Sequence, residues 1–423
     1  MQFRARCGAY LSIFRSMANP RMHLARPMLL LMMLFGVLCS GCALLQAHGQ
    51  MGQLEVANYY TGVVDTESKA GASIVVVLYA LDDEPRAVFV DILGGSRRVY
   101  HLAAPPGDYG IFAFEDANGD LKYQAGEPAA VYRGVALSLN AIDDPPTAAS
   151  GLGRIRLDPA SPGLTVPSIF GEAYVTLISR RGEVLGAKVA VDGGRFNRAN
   201  VREGLFRPLQ FVREGRSGLF LLEPFDPKRT PAIFVHGIGG SPLDWEYLIA
   251  NLDPERFQPW VFFYPSGFPL GLSSLMLSTA VDDLQRRFGF STSVVVAHSM
   301  GGIVARGALN IVQREGRTPP VHQLVTISTP WRGHAGARWA SVGPTRVPGS
   351  WLDMAPNSAF LRDLGTIPRP SHIRYTLFFG YGGGSRFSSN NNDGTVTLQS
   401  MLVPTFQSRA VFDFGFVEDL TSI

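Results

Sequence analysis

The stretch Val294-Val-Val-Ala-His-Ser-Met-Gly-Gly302 constrains the fold of this chain more than any other. An apolar, β-branched run ends at Ser299 and a helix-compatible sequence, 303–315, begins at once, so the chain must pass from strand to helix through one sharp turn. The small residues Ala297, Gly301 and Gly302 permit that turn. A serine hydroxyl is a weak nucleophile, and a tight turn of this kind lifts it clear of the backbone, beside the unpaired N–H donors at the start of a helix. Ser299 is therefore the candidate nucleophile.

From about residue 230 onward, strand-like and helix-like segments alternate. An apolar run at 231–235 gives way to a helix-like segment at 241–251, a strand-like one at 260–264, an amphipathic helix over 275–288, the run before Ser299, and another strand at 323–327. Alternation of this kind requires a parallel sheet with helices on both faces.

Three motifs in this region, taken together, resemble the α/β-hydrolases of the esterase and lipase type. The turn at Ser299 reads A-x-S-x-G, with Ala297 where the family's nucleophile elbow usually carries glycine. The segment Pro231-Ala-Ile-Phe-Val-His-Gly-Ile-Gly-Gly240 is similar to the family's oxyanion loop, and Asn392-Asp-Gly-Thr-Val396 is similar to its acid turn. The resemblance implies a doubly wound, mostly parallel sheet over 229–423. It makes Asp393 the orienting carboxylate and the backbone N–H groups of Ile238 and Met300 the oxyanion donors. It also implies a carboxylic ester or lipid substrate.

The same resemblance calls for a histidine after the acid turn, and there is none. The chain's eight histidines are at 23, 48, 101, 236, 298, 322, 334 and 372. The C-terminal stretch Phe414-Gly-Phe-Val-Glu-Asp-Leu-Thr-Ser-Ile423 resembles the end of family esterases, with Leu420 in the histidine position and a final helix expected beyond it. Three explanations stand: natural inactivation, damage to the coding sequence, or a base recruited from elsewhere. His334, just past the strand end at Thr329-Pro330, is the best-placed surrogate. His298 should point away across the turn, and His236 is expected to brace its own loop. The expectation is an ester hydrolase impaired at position 420, the alternative a non-catalytic surface lipoprotein that binds a lipid or protein partner.

Charge distribution bears on compartment. Residues 1–41 hold five arginines, no lysine and no acid, ahead of an apolar run at 28–38 that is too short to span a bilayer. This reads as a secretory signal peptide. Its end, Leu38-Cys-Ser-Gly-Cys42, resembles a bacterial lipobox, which implies lipidation of Cys42 and an anchor in the cell envelope; Ala43 in the next position favours the outer membrane. An ordinary signal peptide cut nearby is the other reading. Without the leader the chain has 33 basic against 35 acidic residues, and no basic stripe points to nucleic acid. Cys7 and Cys39 lie in the leader, so Cys42 alone remains; an internal disulfide or a cysteine-based metal site is excluded.

The remaining 382 residues exceed what one core usually serves. Residues 42–52 read as a polar tether. Over 53–164, β-rich runs at 73–81, 87–93, 99–102, 109–114 and 131–139 are separated by Gly, Pro and Asp clusters, which predicts an all-β, sandwich-like domain. Residues 105–120 resemble extracellular transthyretin-like modules. In the loop that follows, Asp116, Asn118, Asp120 and Glu127 fall at positions 1, 3, 5 and 12 of a calcium-binding spacing, with Leu121 where an EF-hand needs glycine. A hairpin loop whose side chains bond their own backbone accounts for the same residues. No other cofactor is expected. Residues 165–228 read as a connector with strands at 170–179 and 188–191 and a short helix at 204–212, with the first strands of the C-terminal domain expected near 218–222. The insertion at 331–369 is expected to cap the site; its Trp331, Trp339, Trp351, Leu352, Met354 and Phe360 suit either an acyl chain or packing of the cap onto the sheet.

Overall fold

A computed structural model describes residues 43–55, 57–66, 72–94, 97–132, 154–157, 169–192, 194–341, 345–380, 393 and 395–402. The signal peptide, Cys42 and Leu420 lie outside these residues.

β2 (Ser73–Ala80) is buried along its whole length, which requires cover on both faces. It sits inside a four-stranded sheet of order β3-β2-β5-β6, with β3 Arg86–Leu93, β5 Tyr109–Asp116 and β6 Ala129–Tyr132. A three-stranded sheet, β4-β1-β7, is formed by β4 Val99–Ala104, β1 Asn58–Asp65 and β7 Arg154–Arg156. Val64, Leu102 and Ile155 of this sheet pack in one core with Ile74, Val76, Leu78 and Ile111 of the other. The odd-numbered positions of β2, Val75, Val77 and Tyr79, point the opposite way and join Phe112 and Phe114 in a second core.

Helix α1 (Glu172–Val184) covers that second core. The sequence predicts a strand at 170–179, and this is corrected. Its β-branched and aromatic residues suit a strand, but Tyr174, Leu177 and Ile178 stand at i, i+3 and i+4, and that spacing lays all three on the sheet. The polar tether at 42–52 is corrected too. Residues 43–55 are helical, and Ala43, Ala47, Met51 and Leu54 recur every three or four residues to make one buried face.

The third sheet has seven strands in the order β14-β13-β12-β10-β11-β9-β8. They are β8 Leu185–Lys188, β9 Gly218–Leu221, β10 Thr230–Val235, β11 Phe257–Phe263, β12 Val294–His298, β13 Gln323–Ile327 and β14 Arg374–Phe378. All neighbours run parallel except β9 against β11. β9 lies where the first strand of this domain is expected, and β8 carries the sheet further back, into the connecting segment. The helix expected at 204–212 is two helices, α2 (Arg198–Phe206) and α3 (Pro208–Arg213), because Pro208 cannot extend the first and fits the first turn of the second. Helices α4 (Leu270–Phe288) and α5 (Met300–Arg314) complete the core, with Leu277, Leu284, Ile303 and Val304 packed against Ile233, Val235 and Val295.

Ions join the sandwich to this domain. Arg97 is 1% exposed, holds both oxygens of Asp91 at 3.1 and 2.7 Å, and reaches Asp282 of α4 at 3.9 Å. Asp282 is gripped by Arg317, which also binds Glu315, and Glu315 in turn meets His101 of β4 at 3.2 Å. Burial pushes the Asp91 carboxyl up, but Arg97, Arg181 and the His101 amide outweigh it and hold the group below its ordinary value. Removing one partner of a buried pair leaves the other charge uncompensated. Arg97→Met should therefore cost about 3–5 kcal/mol of unfolding free energy in urea titrations, whereas Arg86→Met, at an exposed pair with Asp82, should cost less than about 1 kcal/mol.

Candidate active site

Ser299 lies between the last residue of β12 and the first of α5 with φ 51° and ψ −126°, a left-handed backbone that a non-glycine residue adopts only under constraint. The constraint comes from both sides. The Ser299 N–H donates to the Ile327 carbonyl of β13 at 2.8 Å, and α5 begins against the end of β10. A Cβ on Gly301 would lie 2.5 Å from the carbonyl oxygens of Val235 and His236, and one on Gly302 would lie 2.1 Å from Thr329 Oγ1. Only glycine lets the helix start so close to the sheet.

The glycine-rich loop after β10 folds over this turn. A Cβ on Gly237 would meet Ser299 Cβ at 3.1 Å, so the loop backbone passes directly beside the serine. Among the described residues, the N–H groups of Ile238 and Met300 donate to no other group. The loop is held from behind: Gly239 N–H donates to Ser266 Oγ at 3.2 Å, and Ser241 with Asp244 forms a capping box. His236 braces the loop as expected. Its Nδ1 donates to the Gly237 carbonyl at 2.8 Å while Nε2 accepts from the Tyr264 N–H at 3.4 Å, and the Tyr264 hydroxyl donates to the His236 carbonyl at 2.9 Å. Sequence reasoning missed Tyr264, Ser266 and Asp244. Only Asp244 had a local signal, the spacing Ser241-Pro-Leu-Asp244; the others act across distant segments.

Asp393 sits in a turn within electrostatic reach of His298. One of its oxygens, Oδ1, accepts from the Thr395 and Val396 N–H groups at 3.0 and 2.7 Å, and among the described residues nothing donates to Oδ2. His298, next to the serine, senses this carboxylate. The residue's edge is open to solvent, yet its ring is walled in near Trp245, and that burial lowers its pKa while Asp244 and Asp393 pull it upward.

His334 does not face Ser299 in a hydrogen bond. Its Nε2 donates to the Thr395 carbonyl at 3.0 Å and its Nδ1 accepts from the Gly336 N–H at 3.2 Å, so both ring nitrogens serve to hold the acid turn against the start of the cap. Ser400 reinforces the same junction by donating to the Gly333 carbonyl at 2.6 Å. Within the cap, Trp331 and Met354 are buried in the main core and Phe360 packs on it, whereas Leu352 stays 43% exposed. These three side chains thus pack the cap onto the sheet.

In the sandwich loop, side chains tie to their own backbone. Asp116, Asn118 and Asp120 accept from the N–H groups of Gly119, Asp120 and Lys122, and Glu127 spans the loop to those of Ala117 and Gln124. Leu121 takes φ 59° where an EF-hand has glycine. Among the described residues no group of three or more His, Cys, Asp or Glu converges to hold a metal ion.

Residues 232–422, just under half of the chain, match the model of the alpha/beta hydrolase family. The C-terminal part of this chain is an alpha/beta-hydrolase domain. Among solved structures, it is similar to a mature-form lipase of Bacillus licheniformis (19% identity, 44% of this chain and 86% of that one, TM-score 0.36). It is also similar to a phospholipase of Legionella pneumophila (16%, 41% and 44%, 0.32) and to a metagenomic carboxyl esterase (15%, 44% and 64%, 0.31). No curated protein matches the chain.

Burial lowers the His236 pKa from 6.5 to about 4, against the opposing hydrogen bond to Gly237. A lowered folded-state pKa means that the unfolded chain binds the proton first. His236 contributes stability that is complete above about pH 6.5 and is lost as pH falls toward 4, on the order of 3 kcal/mol in all. Thermal melts across that window should fall steeply for the native chain and less so for His236→Asn. Gly301→Ala should cost about 1–3 kcal/mol in denaturant titrations because the added methyl must displace the helix or β10.

Proposed function

We infer that this chain is a serine hydrolase of carboxylic esters, lipid or soluble, held to the bacterial envelope through a lipidated Cys42 and slowed by Leu420. One observation carries the reading. Ser299 stands in a strained left-handed turn between two backbone N–H groups, those of Ile238 and Met300, that donate to nothing else among the described residues. Strain of this kind at a half-buried serine is retained where it positions chemistry.

In this reading Ser299 Oγ attacks the ester carbonyl carbon, and the carbonyl oxygen takes the developing charge between the two amides. Collapse of the adduct expels the alcohol and leaves an acyl-serine, which water then hydrolyses. Each step needs a group that takes the proton from Ser299 or from water and returns it to the leaving oxygen. Asp393 would orient such a group with Oδ2, but position 420 holds leucine, and the His334 nitrogens are committed to the acid turn and Gly336. Loss of a triad histidine lowers turnover by about a millionfold, with about a thousandfold rate enhancement over water left to the oxyanion donors and binding.

Leu420 also favours a second reading, a non-catalytic envelope lipoprotein that binds a lipid or protein partner at this site. Hydrolysis of p-nitrophenyl butyrate and of longer-chain esters separates the two. The native chain should be nearly inert, and Leu420→His should raise the rate by several orders of magnitude, a gain abolished by Ser299→Ala. An inert Leu420→His form that still binds long-chain esters would favour the second reading. High native activity lost in both Ser299→Ala and His334→Ala would instead make His334 the base.

A further inference from the structure

The helix at 43–55, which directly follows the leader, does not stand off from the body of the protein. Met51 and Leu54 pack on Phe268, in the loop that follows β11. The same loop holds two other elements. Gly267 N–H donates to the Gly204 carbonyl of α2 at 3.0 Å, and Ser266 supports the oxyanion loop through Gly239. Cross-ties close the group: Gln210 N–H of α3 donates to Gln50 Oε1, and the Phe206 ring meets Trp351 edge-on at 6.5 Å. Arg346 of the cap binds both His48 and Glu55. The C-terminal half of this helix thus packs on the same loop that supports the oxyanion loop.

The outer surface of these elements differs in charge from the rest of the chain. Residues 195–216 carry six arginines and two glutamates, while everything after the leader has 33 basic against 35 acidic residues. Both glutamates are already paired, Glu203 with Arg207 and Arg216, and Glu214 with Arg216. Arg198 and Arg213 are exposed and have no ion-pair partner among the described residues. Exposed apolar side chains lie on the 43–55 helix, on α3 and on the cap helix: Leu45 at 67%, Val212 at 38% and Leu352 at 43%. Unpaired guanidinium groups beside exposed aliphatic side chains suit a surface that is anionic at its headgroups and apolar beneath.

We propose that the face formed by residues 43–55, α2, α3 and the cap helix Gly349–Asp353 docks on an anionic phospholipid bilayer, so that the Ser299 site opens against the bilayer and takes its ester from lipid within it. The docking half is independent of catalysis. The substrate half rests on the ester-hydrolase reading above. A helix of 13 residues that lies flat on the body adds no slack, so an anchor at residue 42 holds the mouth within about 20 Å of the lipid.

Hydrogen exchange on the full chain tests the docking half. In vesicles of phosphatidylglycerol and phosphatidylethanolamine, amides of residues 43–55 and 198–213 should exchange more slowly than in phosphatidylcholine vesicles, with β2 and α5 unchanged. Arg198→Gln with Arg213→Gln should weaken the contact equilibrium on the order of 30-fold and remove the difference. Equal exchange in the two vesicle types would overturn the surface. The substrate half is read in the Leu420→His form. There the arginine pair should lower hydrolysis of vesicle phospholipid while leaving p-nitrophenyl butyrate hydrolysis unchanged, and a pair of substitutions with no effect on vesicle lipid would overturn it. Slowed exchange without hydrolysis of either ester would support the surface and reject the hydrolase.

Discussion

How near α5 can start to the end of β10 decides the shape of the site. The helix comes in against the carbonyl oxygens of Val235 and His236 because residue 301 has no side chain. That approach forces Ser299 into its left-handed turn, aims the first helical N–H groups at the space in front of it, and brings Gly237 within contact distance of the serine. A helix displaced by one methyl group would relax the turn and separate the two amides. The neutral, doubly bonded His236 matters for the same reason, since a charged imidazole buried there would have to find water by opening the loop.

Much of this was legible before any coordinates. The run to Ser299, the glycine loop at 237–240 and the alternation after residue 230 are short-range patterns, and each maps onto one strand, one turn or one helix of the sheet. The sandwich strands around 73–81, 87–93 and 109–114 were legible because alternation and turn residues bracket them. The segment at 170–179 was misread because its composition favours a strand while its spacing favours a helix, and contact with Phe112 and Phe114, far away in sequence, decides between them. Residues 43–55 hid a helix behind two glycines and five polar residues for a similar reason: the partner, Phe268, is more than two hundred positions away. Tyr264 and Ser266 belong to the site only through what they touch.

His334 shows the limit of residue type as a guide. It lies in the right part of the fold and has the right chemistry, yet Thr395 and the Gly336 amide occupy its two nitrogens. A base must have a free lone pair aimed at the proton it takes, and sequence position says nothing about that. The cap aromatics make the same point. Trp331, Met354 and Phe360 read equally well as a greasy lining or as packing, and burial assigns them to packing.

The ions around Arg97 have a consequence for how this protein comes apart. Asp91 and Arg97 belong to the sandwich and pair with each other, whereas Asp282, Glu315 and Arg317 of the hydrolase domain set two acids against one base and draw on Arg97 and His101 across the junction. Pulling the halves apart would wet a cluster whose members are buried together, and Glu315 would lose His101 at the same moment. The seam therefore couples the melting of the two lobes, although among the described residues their sheets share no strand.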